Sequence, residues 1–376
     1  MQLKTFVFAV VLIVIILVSI LAVALFFSNS PPEKPEFYIG VEVAYTNANV
    51  NDIREMVDKV RNYTNLLVIG SIELSFNQTA LTESCDYIYD AGLNIMVLFT
   101  DDRKYSYDSL MWMAQAEQKY GDQFLGVYRY DEPGGGQLDN PPLRFVKNAT
   151  SYAQVAEEYP VILKDHVDHY TNYTRRLFTA DYGLYWWDYK ASYQAIFAEF
   201  VGNQSRQRHI ALCRGAAQAH NKSWGAIVTW KYDQAPFLED GEELYSDLTL
   251  AFTAGAKYMI VFDYPKIRPY GTLDESHFDA LKGFWDFSHN NPQLFGSSNA
   301  EVAYVAPADY GFGFRSAEDT IWGLFPADEF SEKTWSDVST LIDQYDSRFD
   351  ILFDDIQFDA VRKNYRRLFL WNTTIT

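Results

Sequence analysis

Beyond residue 36 the chain alternates between two hydrophobic periods. Short runs dense in β-branched and aromatic residues at 37–45, 66–75, 93–100, 124–131, 176–181, 194–201, 224–232 and 257–264 predict eight strands. Between them, apolar residues recur at helical spacing. In 49–63 the repeat falls on Ile53, Met56, Val57 and Val60, and 79–92 and 107–121 both close on a glycine of the kind that ends helices. The stretch 149–173 is predicted helical, with an interruption before Pro160. Further helices are predicted at 205–221, 242–255 and 274–289. Eight strands alternating with helices over about 250 residues predict an α/β fold, a (β/α)8 TIM barrel. After Asn291 the alternation restarts, with strands at 300–306, 320–324, 349–353 and 367–371, a helix at 333–345 and a helical turn at 358–363. This predicts a small, flavodoxin-like C-terminal α/β domain.

The fourth strand run ends abruptly on Asp131, Glu132, Pro133 and three glycines. Simple alternation puts Gly126, Tyr128, Tyr130 and Glu132 on one face and Leu125, Val127, Arg129 and Asp131 on the other. Pro133 has no N–H for the ladder and is expected to hold Glu132 extended.

Residues 6–27 form an apolar run of 22 residues, preceded by Lys4 and followed by a polar, proline-rich stretch. That length spans a bilayer, and the small-x-small pattern at Ala22 and Ala24 lies inside the run rather than beyond it. The expected organisation is therefore a cytoplasmic N-terminus at 1–5, an uncleaved transmembrane signal anchor at 6–27, a stalk at 28–36, the barrel at 37–291 and the small domain at 292–376. The globular body is placed outside the cell membrane by the positive-inside tendency. Seven Asn-x-Ser/Thr sites, at Asn62, Asn77, Asn148, Asn172, Asn203, Asn221 and Asn372, fit a glycosylated exterior.

A net charge of −19 argues against nucleic acid or an anionic membrane surface as a partner. Two cysteines, Cys85 and Cys213, cannot build a disulfide framework, which leaves a single bridge or two buried thiols. His166 and His169 stand three apart on a helix, a spacing more often solvated than metal-ligating. There is no Walker loop and no nucleophile elbow, so neither a metal nor a cofactor is expected.

In a (β/α)8 barrel, reacting groups come from the C-terminal ends of the strands. Here those ends carry Glu42 with Tyr45, Glu73, Asp101 with Asp102, Asp131 with Glu132, Asp181 with Tyr182, Glu199, Trp230 with Tyr232 and Asp233, and Asp263 with Tyr264. Carboxylates among stacking rings are what glycoside chemistry needs: one acid for the leaving oxygen, and a second carboxylate as base, nucleophile or charge stabiliser. Glu132 is the expected general acid, with Asp131, Glu199 or Asp263 as partner. Glu73, Asp101, Tyr130, Trp187, Trp230, Tyr232 and Tyr264 are the expected substrate-binding walls.

The Tyr130-Asp-Glu-Pro133 segment resembles glycoside hydrolase families 20 and 123, which place an Asp-Glu pair at the end of barrel strand four. The resemblance implies Glu132 as acid and Asp131 as the residue orienting the substrate's own acetamido group. The barrel also resembles the larger clan of retaining (β/α)8 glycosidases, with Asp131 standing where that clan often has Asn. That clan takes its nucleophile Glu from strand seven, and 224–232 contains none. Two functions follow: a membrane-anchored glycoside hydrolase acting on a polysaccharide or glycoprotein glycan, or a non-catalytic glycan-binding or cell-envelope protein on the same scaffold.

Overall fold

The computed structural model describes residues 36–373. The apolar run at 6–27 and the expected anchor lie outside them. Among the described residues no helix is long and apolar enough to cross a membrane.

Eight parallel strands, β1 (Tyr38–Val43), β2 (Leu66–Ile69), β3 (Asn94–Phe99), β4 (Phe124–Arg129), β5 (Leu177–Asp181), β6 (Ala195–Phe200), β7 (Ser223–Val228) and β8 (Tyr258–Asp263), close into a barrel in chain order. The ring is sealed by β8 pairing with β1 from Tyr38↔Tyr258 to Val43↔Asp263. Their apolar character on both faces has a direct cause. One set of side chains, including Leu66, Val68, Met96, Phe178, Phe197 and Ile260, fills the lumen, while the alternate set packs against the helices outside. Size matters at the narrow points: a β-carbon on Gly225 would lie 2.7 Å from the Phe197 ring and 2.8 Å from Tyr258.

The connection from β5 to β6 is short for a parallel crossover. It is made by a single helical turn, Tyr185–Asp188, followed by the 3-10 turn Tyr189–Ala191, and it is stabilised by burying Trp186, Trp187 and Tyr189. The helix expected to break before Pro160 instead runs unbroken as Tyr152–Asp168, with the proline buried inside it.

The C-terminal residues build a parallel three-stranded sheet from β9 (Val302–Ala306), β10 (Phe349–Phe353) and β11 (Arg367–Leu370), in the order β10-β9-β11 and flanked by the helix Glu329–Tyr345. The strand expected at 320–324 does not join it. Ile321 makes only isolated bridges to Phe312 and Phe325, because Trp322 turns into the core there. Of the described residues, those from Phe37 onward form one compact unit. The barrel helix Arg206–Ala219 presses so closely on β10 that a β-carbon on Gly215 would meet the Ile351 carbonyl at 2.6 Å. Beside it Arg214 is buried, pairing with Asp350 at 2.8 Å and donating to the Ser347 and Phe349 carbonyls. Cys85 and Cys213 are separate buried thiols.

Candidate active site

Counting inward positions along β1 gives Tyr38, Gly40 and Glu42, so the strand ends by pointing a carboxylate into the lumen. Gly70, one strand over, makes the space: a β-carbon there would sit 2.3 Å from Glu42 Oε1. Above this level a cavity of about 440 Å³ opens at the C-terminal end of the barrel, with Glu42, Tyr128, Asp131, Glu132, Glu199, Trp230 and Tyr264 in its wall.

β4 reaches this cavity by abandoning regular alternation. Its pairing with β3 jumps from Ile95↔Phe124 to Met96↔Gly126, a bulge made possible by Gly126 at φ 139°. As a result Leu125 and Tyr128 both enter the lumen. Two further residues take left-handed backbone, Tyr130 at φ 59° and Glu132 at φ 49°, each at a cost of about 1–2 kcal/mol. Tyr130 is thereby turned out of the cavity. Its ring lies 4.1 Å from the Arg129 guanidinium and its hydroxyl 3.0 Å from His166 Nδ1. Asp131 and Glu132, which alternation would separate, both line the cavity. Glu132 is thus left-handed rather than extended as expected, and Pro133 serves as the first residue of the helix Pro133–Asp139, where a missing N–H costs nothing.

The turn is fastened from behind. Asp181, pointing outward from the end of β5, accepts the N–H groups of Gly134 at 2.5 Å and Gly135 at 2.9 Å, and also those of Tyr182 and Gly183. The glycines are needed for this approach: a β-carbon on Gly135 would lie 2.4 Å from the Tyr182 ring.

Glu199 of β6 lines the same cavity, near enough to Glu132 for the charge of Glu132 to act on it. Burial, followed by the charge of Asp131, pushes Glu132 up to about 7. Burial and the charges of Glu132 and Asp131 push Glu199 well above the ordinary carboxylate range. Glu42 is raised by burial and by Asp131. Asp131 touches the open space of the cavity but is walled by protein around it; burial raises it, while the hydrogen bond donated by the Tyr128 hydroxyl pulls it back. Among the described residues no Lys, Arg or His lines this cavity. At its rim Trp230, 37% exposed, lies parallel to Tyr264 with ring centroids 5.7 Å apart.

Of the residues expected to react, Asp131, Glu132 and Glu199 therefore meet in one cavity, joined by Trp230 and Tyr264 from the expected walls. The others lie elsewhere. Asp263 follows Phe262, which faces inward, so its own side chain points out of the barrel. There it is buried, accepting from the Tyr45 hydroxyl at 2.5 Å and from Thr272 N at 2.7 Å. Glu73 is exposed on the short helix Ile72–Ser75, and Asp101 is held by Arg103. Tyr232 is exposed outside the cavity wall. Trp187 is core, packed at 4.5 Å against both Trp322 and Phe353. Glu42 and Tyr128 were absent from the expected reacting set. Period-two counting from Tyr38 identifies Glu42, whereas Tyr128 depends on the bulge.

No protein-family model matches the chain, and no curated protein does. Among solved structures it is similar to GH5_18 from Bifidobacterium longum subsp. longum, with a TM-score of 0.55, 11% identity and coverage of 91% of this chain and 98% of that one. It is also similar to alpha-L-fucosidase isoenzyme 2 from Paenibacillus thiaminolyticus, with a TM-score of 0.54, 11% identity and coverage of 88% of this chain. The chain spans 59% of that fucosidase's length. At this identity the likeness is one of fold: a (β/α)8 TIM barrel, with an additional small C-terminal sheet.

Proposed function

We propose that this barrel hydrolyses glycosidic bonds, and the observation that carries the reading is that Glu132 and Glu199 line one cavity at the C-terminal end of the barrel. Glycoside cleavage requires a carboxylic acid and a carboxylate on opposite sides of the reacting centre. Burial and the neighbouring carboxylates disfavour a second charge on this pair, so that one member keeps its proton. Glu132, the less buried member, delivers that proton to the leaving oxygen. Glu199 then remains as the carboxylate, facing the developing positive charge at the anomeric carbon or activating water against it. Asp131, held by Tyr128, orients the sugar beside them, and Trp230 with Tyr264 supplies a flat apolar face for a ring. The apolar run at 6–27 supports placing this activity at the outer face of the cell membrane, on a polysaccharide or a glycoprotein glycan.

One observation favours the second reading, a glycan-binding protein without turnover. The wall carries four carboxyls, Glu42, Asp131, Glu132 and Glu199, two more than the acid and carboxylate that hydrolysis needs. Assaying residues 36 onward against aryl glycosides and a glycan array separates the two. Turnover lost in Glu132→Gln supports the hydrolase, and array binding without turnover supports the binder.

A further inference from the structure

We infer that the cavity is built for a cationic amino sugar, one whose nitrogen is a free ammonium rather than an acetamide. The inference rests on the glycan reading above and deepens it.

Four carboxyl groups, Glu42, Asp131, Glu132 and Glu199, face one cavity, and among the described residues no basic side chain lines it. The charges that act on them come from one another and from Asp181 and Asp139. A buried acid in a folded protein ordinarily has a cation or several hydrogen-bond donors beside it. Glu132 and Glu199 have each other, and Asp131 has Tyr128. Glu42 has neither. It is 2% exposed, it forms part of the cavity wall, and it makes no hydrogen bond among the described residues. Gly70 keeps its place open, so the carboxyl is accommodated there without being satisfied.

What such a wall lacks is a positive charge with several N–H donors, which is what an ammonium supplies. The rim adds a second element, since the Trp230 and Tyr264 faces also accept a cation. An ammonium seated between Glu42 and Asp131 would satisfy both, lower the proton affinity of the cluster and leave the Glu132–Glu199 pair its single proton. A neutral sugar leaves Glu42 unpartnered, and a uronic or sulfated sugar adds a further negative charge. The chain's net charge of −19 acts in the same direction over longer range, drawing a polycationic glycan toward the barrel.

The test is titration calorimetry and product analysis at pH 6 with three matched sets of oligosaccharides: glucosamine or galactosamine oligomers, their N-acetylated forms, and the corresponding neutral glucose or galactose oligomers. The free-amine set is expected to bind at least tenfold more tightly than the other two, with proton release visible as a buffer-dependent binding enthalpy. Glu42→Gln, close in shape to the wild type, is expected to erase that preference. The wild-type comparison stands even if the variant fails to fold. Equal or tighter binding of the N-acetylated or neutral sets, or no binding at all, overturns the inference; cleavage of those sets would still uphold the hydrolase reading. Tight free-amine binding without cleavage of any set upholds the inference and sinks the hydrolase reading instead.

Discussion

Asp181 Oδ2 accepts the backbone N–H of Gly134 at 2.5 Å, and that contact holds the left-handed turn from which Glu132 enters the cavity. Asp181 is fully buried and does not line the cavity, so it acts through Glu132 rather than on a substrate. Asp181→Asn replaces one acceptor oxygen with a donor that faces N–H groups already pointing at it. The expected cost is about 1–3 kcal/mol of stability, measured by denaturant unfolding. Turnover is expected to fall more than substrate affinity, since the turn relaxes but the aromatic wall stays. An Asp181→Asn protein with wild-type turnover would show that the turn does not depend on this contact.

The carboxyl cluster makes the fold weaker as the pH rises. Glu42, Asp131, Glu132 and Glu199 all hold their protons more tightly in the folded chain than in the unfolded one. From about pH 4.5 upward the unfolded chain therefore ionises first, and their stabilising contribution is lost progressively as the pH passes through the folded values, which for Glu132 is about 7. His209 and His220, pushed down by burial to about 3 and about 4, act in the opposite sense but are fewer. Melting temperatures are expected to fall between pH 5 and pH 7, and Glu199→Gln to gain on the wild type over that interval. A variant whose advantage shrinks as the pH rises would contradict the raised affinities.

Trp230 stacks on Tyr264 at the rim and contributes little to the core. Trp230→Ala is expected to weaken glycan binding by about 1–2 kcal/mol, roughly tenfold, while leaving the melting temperature within a degree or two. Affinity measured by calorimetry decides it, and unchanged affinity would remove this wall from the binding site.

Arg214 ties the barrel helix Arg206–Ala219 to β10 through the buried pair with Asp350. Arg214→Met leaves the Asp350 carboxylate with only Gln218 and the Tyr365 hydroxyl as partners, an expected loss of about 3–5 kcal/mol. Because the described residues from Phe37 onward are one compact unit, barrel and C-terminal sheet are expected to unfold in a single transition. Two separated transitions by circular dichroism would argue otherwise.

The barrel was legible in the sequence because a parallel strand buried on both faces leaves a dense apolar run, and eight such runs alternate with helical spacing. Glu199 and Glu42 were legible for the same reason, since β6 and β1 keep period two to their ends. The same rule turns Asp263 outward once Phe262 is placed inside. What the sequence concealed was backbone geometry set by tertiary pairing. The β4 bulge and the left-handed Tyr130 and Glu132 exist because the chain must both pair with its neighbours and hand its following helix to Asp181. Trp187 was misplaced because the aromatic segment around it reads as a binding loop until the C-terminal sheet covers it. Arg206, Arg208 and Arg214 are buried as well: Arg206 pairs with Glu239 and Asp247, Arg208 lies over the Trp335 ring, and Arg214 pairs with Asp350.

The Glu132–Glu199 pair is best examined by comparing initial rates of wild type, Glu132→Gln and Glu199→Gln on one responsive aryl glycoside or oligosaccharide, with folding verified for each variant. The structure leads us to expect rates at least about 10²-fold lower in both variants, with ligand affinity within a few-fold of wild type. Wild-type hydrolysis by a folded Glu132→Gln protein would contradict the assignment of this pair as the catalytic centre.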